Sequence, residues 1–179
     1  MAKLTIIVGM AGSGKSHFCE KYAKEHNAKA FLDGTLANKD EKRAGFDCLG
    51  EIVARLLGRN EDCVMDESHL CMKSFRGKFK AFCDEFLPEV EQEWIFFEKN
   101  TLASINNIFH DFQKGRTSSS RLEAILGQSN GYTVPAREEY PGTRQPEPAY
   151  QRPSPRFTNE EEAVRWVKET FAKLKAEGL

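Results

Sequence analysis

The segment 9–16 reads Gly-Met-Ala-Gly-Ser-Gly-Lys-Ser and matches the phosphate-binding pattern G-x-x-x-x-G-K-S/T in full. Glycines allow the backbone to bend around a polyphosphate, and the helix that follows adds the positive end of its dipole. Lys15 would reach the terminal phosphates, and the Ser16 hydroxyl would bind Mg²⁺. A glycine turn before an ordinary helix is the alternative. The residues expected to contact a nucleotide are Gly9, Met10, Ala11, Gly12, Ser13, Gly14, Lys15, Ser16 and His17.

A second acidic group follows a buried strand pattern further along the chain. Cys63, Val64 and Met65 form an apolar run that ends at Asp66. An acid at this position holds the Mg²⁺ shell in phosphate-loop proteins, so Asp66 is a candidate metal and catalytic residue. The alternative is that Asp66 caps the next helix. Glu67, the next residue, would suit an ATPase in which a glutamate activates water.

Asp33 follows the short strand candidate 28–32 and precedes Gly34. At the end of a second strand, opposite the phosphate loop, an acid could accept the proton of an attacking hydroxyl. A turn-forming Asp-Gly pair is the alternative. Asp33 therefore separates a kinase, which needs such a base, from an ATPase.

Two groups of basic residues could contact phosphates. The segment 114–121 is basic and serine-rich, and Lys114, Arg116 and Arg121 could close over a transferring phosphoryl group as part of a lid at about 114–127. On the predicted helix after Asp66, the three residues Lys73, Arg76 and Lys80 share one face and could bind nucleic-acid phosphates. Both groups could instead be solvated surface.

The surrounding pattern alternates strands and helices. The continuous apolar run 4–8 predicts a buried parallel strand, the segments 28–32, 63–66 and 93–97 are further strand candidates, and helical stripes lie between them. We therefore expect a three-layer α/β/α domain with the glycine loop on its nucleotide face. Phe75, Phe79, Phe82 and Phe86 share one helix face and are expected in the core.

The chain has 179 residues, enough for one domain with a substantial core, and we take 1–179 as one unit. Residues 128–155 carry six of the seven prolines and predict extended surface chain, followed by an amphipathic helix at about 158–177 with Thr158 and Glu161 at capping-box spacing. The formal net charge of -1 gives no general attraction to nucleic acid or anionic membrane, and no segment could span a bilayer. The five cysteines lack metal-ligand spacing and predict buried thiols in a cytoplasmic protein.

With these residues in place, the chain resembles the polynucleotide-kinase-like branch of the phosphate-loop kinases over about residues 3–150. The resemblance rests on the loop, Asp33, the Val-Met-Asp-Glu-Ser segment 64–68 with its basic helix, the strand 93–97, the Lys-Gly-Arg segment 114–116 and the Pro-Glu-Pro-Ala-Tyr segment ending at Tyr150. It implies a parallel sheet of strand order 2-3-1-4 with a helical lid. It also implies that Asp33 is the base, that Arg116 is the lid arginine, and that Asp66 places the acceptor or the metal.

Two classes of function follow as hypotheses. The first is a kinase that uses ATP and Mg²⁺ to phosphorylate a hydroxyl acceptor, either a polynucleotide 5′-hydroxyl or a small molecule, with Lys15, Asp33, Asp66 and Arg116 as catalytic residues. The second is an ATP-binding or ATPase switch that acts on a protein or nucleic-acid partner. A vestigial loop in a structural binding protein is a third, weaker reading.

Overall fold

The computed structural model describes residues 1–32, 49–143 and 153–178. Asp33, Cys48 and the Pro-Glu-Pro-Ala-Tyr segment 146–150 lie outside these ranges, so the predictions made for them remain predictions. Within the described ranges, no helix combines the length and the apolar character needed to cross a bilayer.

Four strands form one parallel sheet: β1 (Lys3–Val8), β2 (Lys29–Phe31), β3 (Cys63–Asp66) and β4 (Glu91–Phe96). Their order is β2-β3-β1-β4, which confirms the predicted order 2-3-1-4. Ile7 of β1 lies opposite Asp66 of β3 in the register. This pairing brings the end of β3 beside the point where the glycine loop leaves β1.

Six helices connect and cover the strands in the described ranges. They are α1 (Lys15–Glu25), α2 (Leu49–Val53), which continues as a π-helical turn (Ala54–Gly58), α3 (Lys73–Phe86), α4 (Thr101–Gln113), α5 (Ser119–Gly131) and α6 (Glu160–Ala176). Short 3-10 turns span Ser68–Cys71 and Arg137–Glu139.

The two faces of the sheet carry separate cores. On one face, Ile7, Val64 and Ile95 pack against α1. On the other face, alternating residues of β1 such as Leu4 and Ile6 join a larger core to which α2 through α6 contribute. The sheet is therefore covered by helices on both sides, which confirms the predicted three-layer α/β/α architecture.

Two local predictions, the extended chain from residue 128 and the buried phenylalanine stripe, were wrong in part. α5 continues to Gly131, so residues 128–131 are helical rather than extended surface chain, and Tyr132 directly after them is fully buried. On α3, Phe79 is in the core, but Phe75 is 47 % exposed and Phe86 is 53 % exposed. Phe79 packs against Trp94 of β4, whereas Phe75 and Phe86 lie near the two ends of α3 and reach the surface.

The start of α6 differs by one residue from the predicted capping box. The Asn159 side chain accepts a hydrogen bond from the Glu162 N–H at 3.1 Å, and this asparagine takes the N-cap position instead of Thr158. Both residue types cap helices well, so the sequence pattern alone did not distinguish them.

Candidate nucleotide and phosphoryl-transfer site

The loop between β1 and α1 adopts a conformation that depends on glycine. Gly12 and Gly14 have φ angles of 79° and 88°, which side chains other than glycine rarely adopt. A Cβ atom on Gly12 would lie 2.4 Å from the carbonyl oxygen of Ser104 and 2.8 Å from a side-chain carbon of Ile108. The loop therefore lies directly on α4, with no room for a side chain at Gly12.

The first turn of α1 faces the loop without a side-chain cap. Gly14 occupies the N-cap position, and among the described residues no side chain accepts a hydrogen bond there. The first amides of a helix lack intrahelical partners, so this end of α1 suits an anion such as a phosphate. Lys15 begins the helix and is buried, whereas His17 is exposed.

Asp66 and Ser16 meet beside the loop. The Ser16 hydroxyl donates a hydrogen bond to Oδ2 of Asp66 at 2.5 Å, and Asp66 is fully buried. The alternative role as a helix cap belongs to the next residue, because Glu67 is the N-cap of the 3-10 turn that follows. Asp66 is thus directed to the start of α1, beside the glycine loop, rather than to the turn after it.

The pair also fits a magnesium ion. A hydroxyl and a carboxylate oxygen are hard donors, and Mg²⁺ is commonly bound by one or two such groups with water and substrate phosphates completing its octahedron. Within the described ranges, no group of three or more His, Cys, Asp or Glu side chains could hold a metal.

Glu67 is also fully buried, but it contacts its own turn. Its Oε1 accepts hydrogen bonds from the backbone N–H of His69 at 2.9 Å and lies 2.6 Å from the His69 ring Nδ1. Its Oε2 is buried and has no hydrogen-bond partner in the part of the chain that the structure describes. In this arrangement the carboxylate orients the turn and is not exposed to a water molecule near the loop.

Two amide side chains on α4 and α5, which the sequence analysis missed, hydrogen-bond to the backbone of the glycine loop. Asn107 of α4 donates to the carbonyl oxygen of Gly12 at 2.8 Å. Gln128 of α5 accepts a hydrogen bond from the N–H of Ala11 at 2.7 Å, so this amide of the predicted nucleotide-contacting set is already engaged. A weak signal was available, because Gln128 continues the i, i+3 spacing of the buried residues Leu122 and Ile125.

Two of the three basic residues predicted for the lid are paired with one carboxylate. Arg116 and Arg121 each lie 3.0 Å from an oxygen of Asp111 near the end of α4. The Arg116 side chain is 57 % exposed, and Lys114 is exposed as well. A role of Arg116 on the phosphates remains a prediction, and it requires the side chain to leave Asp111.

The basic stripe on α3 does not exist as one surface, so that prediction was wrong. Arg76 is 2 % exposed, and its guanidinium donates to the carbonyl oxygens of Leu70 and Cys71 and to the Tyr140 hydroxyl. Lys80 is half-buried and pairs with Asp84 at 2.6 Å. The spacing placed the three cations on one face correctly, but the middle one points into the core.

The described cysteines are buried thiols, as predicted. Burial raises the pKa of Cys63 to about 11 and that of Cys83 to about 12. Cys19 lies on α1 near the loop, and burial raises its pKa further, with a smaller contribution from the charge of Asp66. Burial thus disfavours the thiolate, which is the nucleophilic form, at these three positions.

Similar proteins were found by sequence and by structure. The uncharacterized protein R277 of Acanthamoeba polyphaga mimivirus is 29 % identical over 143 residues, covering 77 % of this chain and 91 % of that protein. No protein-family profile matches the chain.

Two solved structures share the arrangement over nearly the whole chain. A gluconokinase from Sinorhizobium meliloti 1021 superposes with a TM-score of 0.51 at 19 % identity, covering 97 % of this chain and 93 % of that one. The protein APE1195 superposes with a TM-score of 0.50 at 18 % identity, covering 98 % and 96 %. With its four-stranded parallel sheet in the order 2-3-1-4 and helices on both faces, this chain shares its α/β fold with the gluconokinase.

Proposed function

We propose that this protein is a kinase that transfers the γ-phosphate of ATP, with Mg²⁺, to a hydroxyl acceptor. The observation that carries the proposal is the contact between Ser16 and Asp66, which places a hydroxyl and a buried carboxylate together at the start of α1. The gluconokinase fold supports phosphoryl transfer as the reaction type.

The residues of the loop would act mainly by binding and orientation. The uncapped end of α1 and the Lys15 ammonium hold the β- and γ-phosphates, and the glycine conformation brings the backbone close to them. The chemistry that Mg²⁺ would supply when bound is neutralisation of the phosphate charge. Ser16 and Asp66 would hold the ion, so that the positions of the reacting oxygens are set before transfer.

Two further roles are proposed for residues outside this contact. Asp33 takes the proton of the acceptor hydroxyl, and Arg116 stabilises the charge that spreads over the phosphoryl oxygens in the transition state. Both proposals come from the resemblance to the polynucleotide-kinase-like branch.

The acceptor is proposed by chemical class. The gluconokinase neighbour favours a polyhydroxylated small molecule such as a sugar acid. The burial of Arg76 removes the basic surface that would have favoured a polynucleotide.

One observation, the burial of Glu67, argues against an ATPase. Water activation by Glu67 needs an accessible carboxylate, whereas this side chain is fully buried and bonded to His69. A kinase does not need Glu67 to contact water.

The test is transfer from γ-labelled ATP to a panel of sugars, sugar acids, nucleosides, antibiotics and 5′-hydroxyl DNA and RNA. A reaction without acceptor measures hydrolysis alone. We expect label in one acceptor class, lost in Asp33→Asn and Asp66→Asn, while ATP binding persists in Asp33→Asn. Acceptor-independent phosphate release that disappears in Glu67→Gln would contradict the kinase and establish the ATPase.

A further inference from the structure

Gln128 is a buried amide that joins two segments at the carboxyl edge of the sheet. It lies near the end of α5 and is 4 % exposed. Its Oε1 accepts from the N–H of Ala11 in the phosphate loop at 2.7 Å, and its Nε2 donates to the carbonyl oxygen of Ser68 at 3.1 Å. One side chain therefore connects the loop that follows β1 with the segment that follows β3.

The orientation of the amide is determined by its partners. An N–H group needs an acceptor and a carbonyl needs a donor, so only one of the two amide orientations satisfies both Ala11 and Ser68. Burying an amide is unfavourable unless both of its ends are bonded. An apolar residue could fill the same space, but it would leave a buried N–H of the loop without its acceptor.

A second bond attaches the same region to β4. The hydroxyl of Tyr132, directly after α5, donates to the carbonyl oxygen of Phe97 at 2.5 Å, and Tyr132 is fully buried. Phe97 itself continues the pairing with β1, because its N–H donates to the Val8 carbonyl at 2.8 Å. The end of α5 is thus held at the ends of three neighbouring strands.

These contacts have a direct consequence for transfer. The loop would hold the nucleotide, and Asp66 lies two residues before the Ser68 carbonyl that Gln128 binds. A change in the distance between the loop and this segment moves the Ser16 hydroxyl relative to Asp66. Rates of positioned reactions are sensitive to shifts of about 1 Å, with losses of about 100-fold.

We propose that Gln128 is a positioning residue, which sets the phosphate loop against the Asp66 segment and connects both to the predicted lid helix. This inference rests on the proposed kinase function. Gln128 touches no reacting atom; it acts through Ala11 and Ser68.

The first test removes both bonds at nearly constant volume with Gln128→Met. We expect the Ala11 amide to exchange with solvent at least about 10-fold faster by hydrogen–deuterium exchange, because it loses its acceptor. We also expect MgATP to bind about 10-fold more weakly in calorimetry, and transfer to the acceptor found in the panel to fall about 100-fold in kcat.

Asn106 provides the matched control. It is a buried amide of α4 that accepts from the N–H of Phe157 and donates to the Phe157 carbonyl, so it also joins two segments by paired bonds. Asn106→Leu should lower the melting temperature about as much as Gln128→Met. It should leave MgATP affinity and Ala11 exchange within about twofold of the wild type, since a merely structural loss does not act on the loop.

A second variant separates geometry from stability. The protonated acid in Gln128→Glu has the shape, the donor and the acceptor of the amide, whereas the ionised acid lacks the donor for Ser68. Its transfer rate, divided by that of the wild type at each pH, should approach one at low pH and fall as pH rises through the pKa of the introduced acid.

The outcomes of these experiments test the positioning role of Gln128 and the proposed kinase function separately. If Gln128→Met folds, exposes the Ala11 amide and still binds MgATP and transfers phosphate as the wild type does, the positioning role is wrong. A flat pH ratio for Gln128→Glu also contradicts it. If the wild type binds no MgATP, the proposed kinase function fails instead, and Ala11 exchange still reports on the bond to Gln128.

Discussion

Asp66 and Glu67 are neighbours in the chain and are both fully buried, but they serve opposite sides of the sheet. Asp66 faces α1, where it accepts a hydrogen bond from Ser16. Glu67 lies on the other side and bonds the backbone and ring of His69. Glu67 follows β3 and keeps an extended backbone, with φ of -149° and ψ of 116°. Successive side chains of an extended chain point to opposite sides, so one position along the chain changes the role of a carboxylate.

Other polar residues at the carboxyl edge of the sheet differ between the two sides in the same way. On the α1 side, a lysine, a hydroxyl and a carboxylate surround the uncapped end of a helix. On the opposite side, Arg76, Asn107 and Gln128 all bond main-chain carbonyls or amides. The polar groups of the first side are suited to a ligand, and those of the second side hold the protein around it.

The largest expected effect on phosphate transfer comes from substituting Asp66, and the neighbouring Glu67 provides the comparison. Asp66→Asn should lower γ-phosphate transfer about 1000-fold, because it removes the charge that faces Ser16 and the proposed metal. Glu67→Gln should lower transfer less than about 10-fold and act mainly on stability, since it weakens a bond to His69. Steady-state rates with saturating MgATP measure both, and equal losses would contradict the division between the sides.

A glycine comparison tests how tightly α4 supports the loop. Gly12→Ala should abolish MgATP binding and destabilise the fold by about 2 kcal/mol, because the added carbon meets the Ser104 carbonyl and the φ of 79° is unfavourable. Gly77 lies within α3 with open space around it, so Gly77→Ala should instead stabilise by about 0.5–1 kcal/mol. Calorimetry and urea unfolding give both quantities, and tolerance of alanine at Gly12 would show that the loop does not depend on this contact.

Arg76 should matter for stability and not for the nucleotide. Arg76→Met leaves two carbonyl groups and the Tyr140 hydroxyl without their donor, so we expect a loss of about 2 kcal/mol in the free energy of unfolding. MgATP affinity should stay within about twofold, because the contacts of Arg76 lie on the supporting side. Loss of MgATP affinity in a folded Arg76→Met protein would place this arginine in the site itself.

The smallest effect is expected from the lysines of α3. Lys73 is exposed and Lys80 pairs with Asp84 on the same helix, which contributes about 0.5 kcal/mol. Replacing both with alanine should change stability by less than about 1 kcal/mol and leave binding to a 5′-hydroxyl oligonucleotide unaltered. A fluorescence-anisotropy titration at low salt checks this, and a clear loss of affinity would restore the basic stripe as a nucleic-acid contact.

Some features could be predicted from the residues alone because their causes are local. Short segments rich in apolar residues identified all four strands, and a loop that requires positive φ at Gly12 and Gly14 is visible in the glycine spacing. The position of Asp66 beside this loop followed from parallel strands ending at the same edge. The order of the strands, however, came from the resemblance to phosphate-loop kinases.

Other features depend on partners far away in the chain. Ala11 and Gln128 are separated by 117 residues, and Arg76 and Tyr140 by 64. Nothing in the local sequence shows that an arginine on a helix donates to two carbonyls and a hydroxyl inside the core, or that a glutamine next to a proline-rich region lies on the buried face of a helix. Burying such groups is favourable only when all their partners are present. The residue types and glycine spacing of the loop are therefore determined by adjacent residues of the sequence. Which polar side chains support the loop is determined only by the tertiary structure.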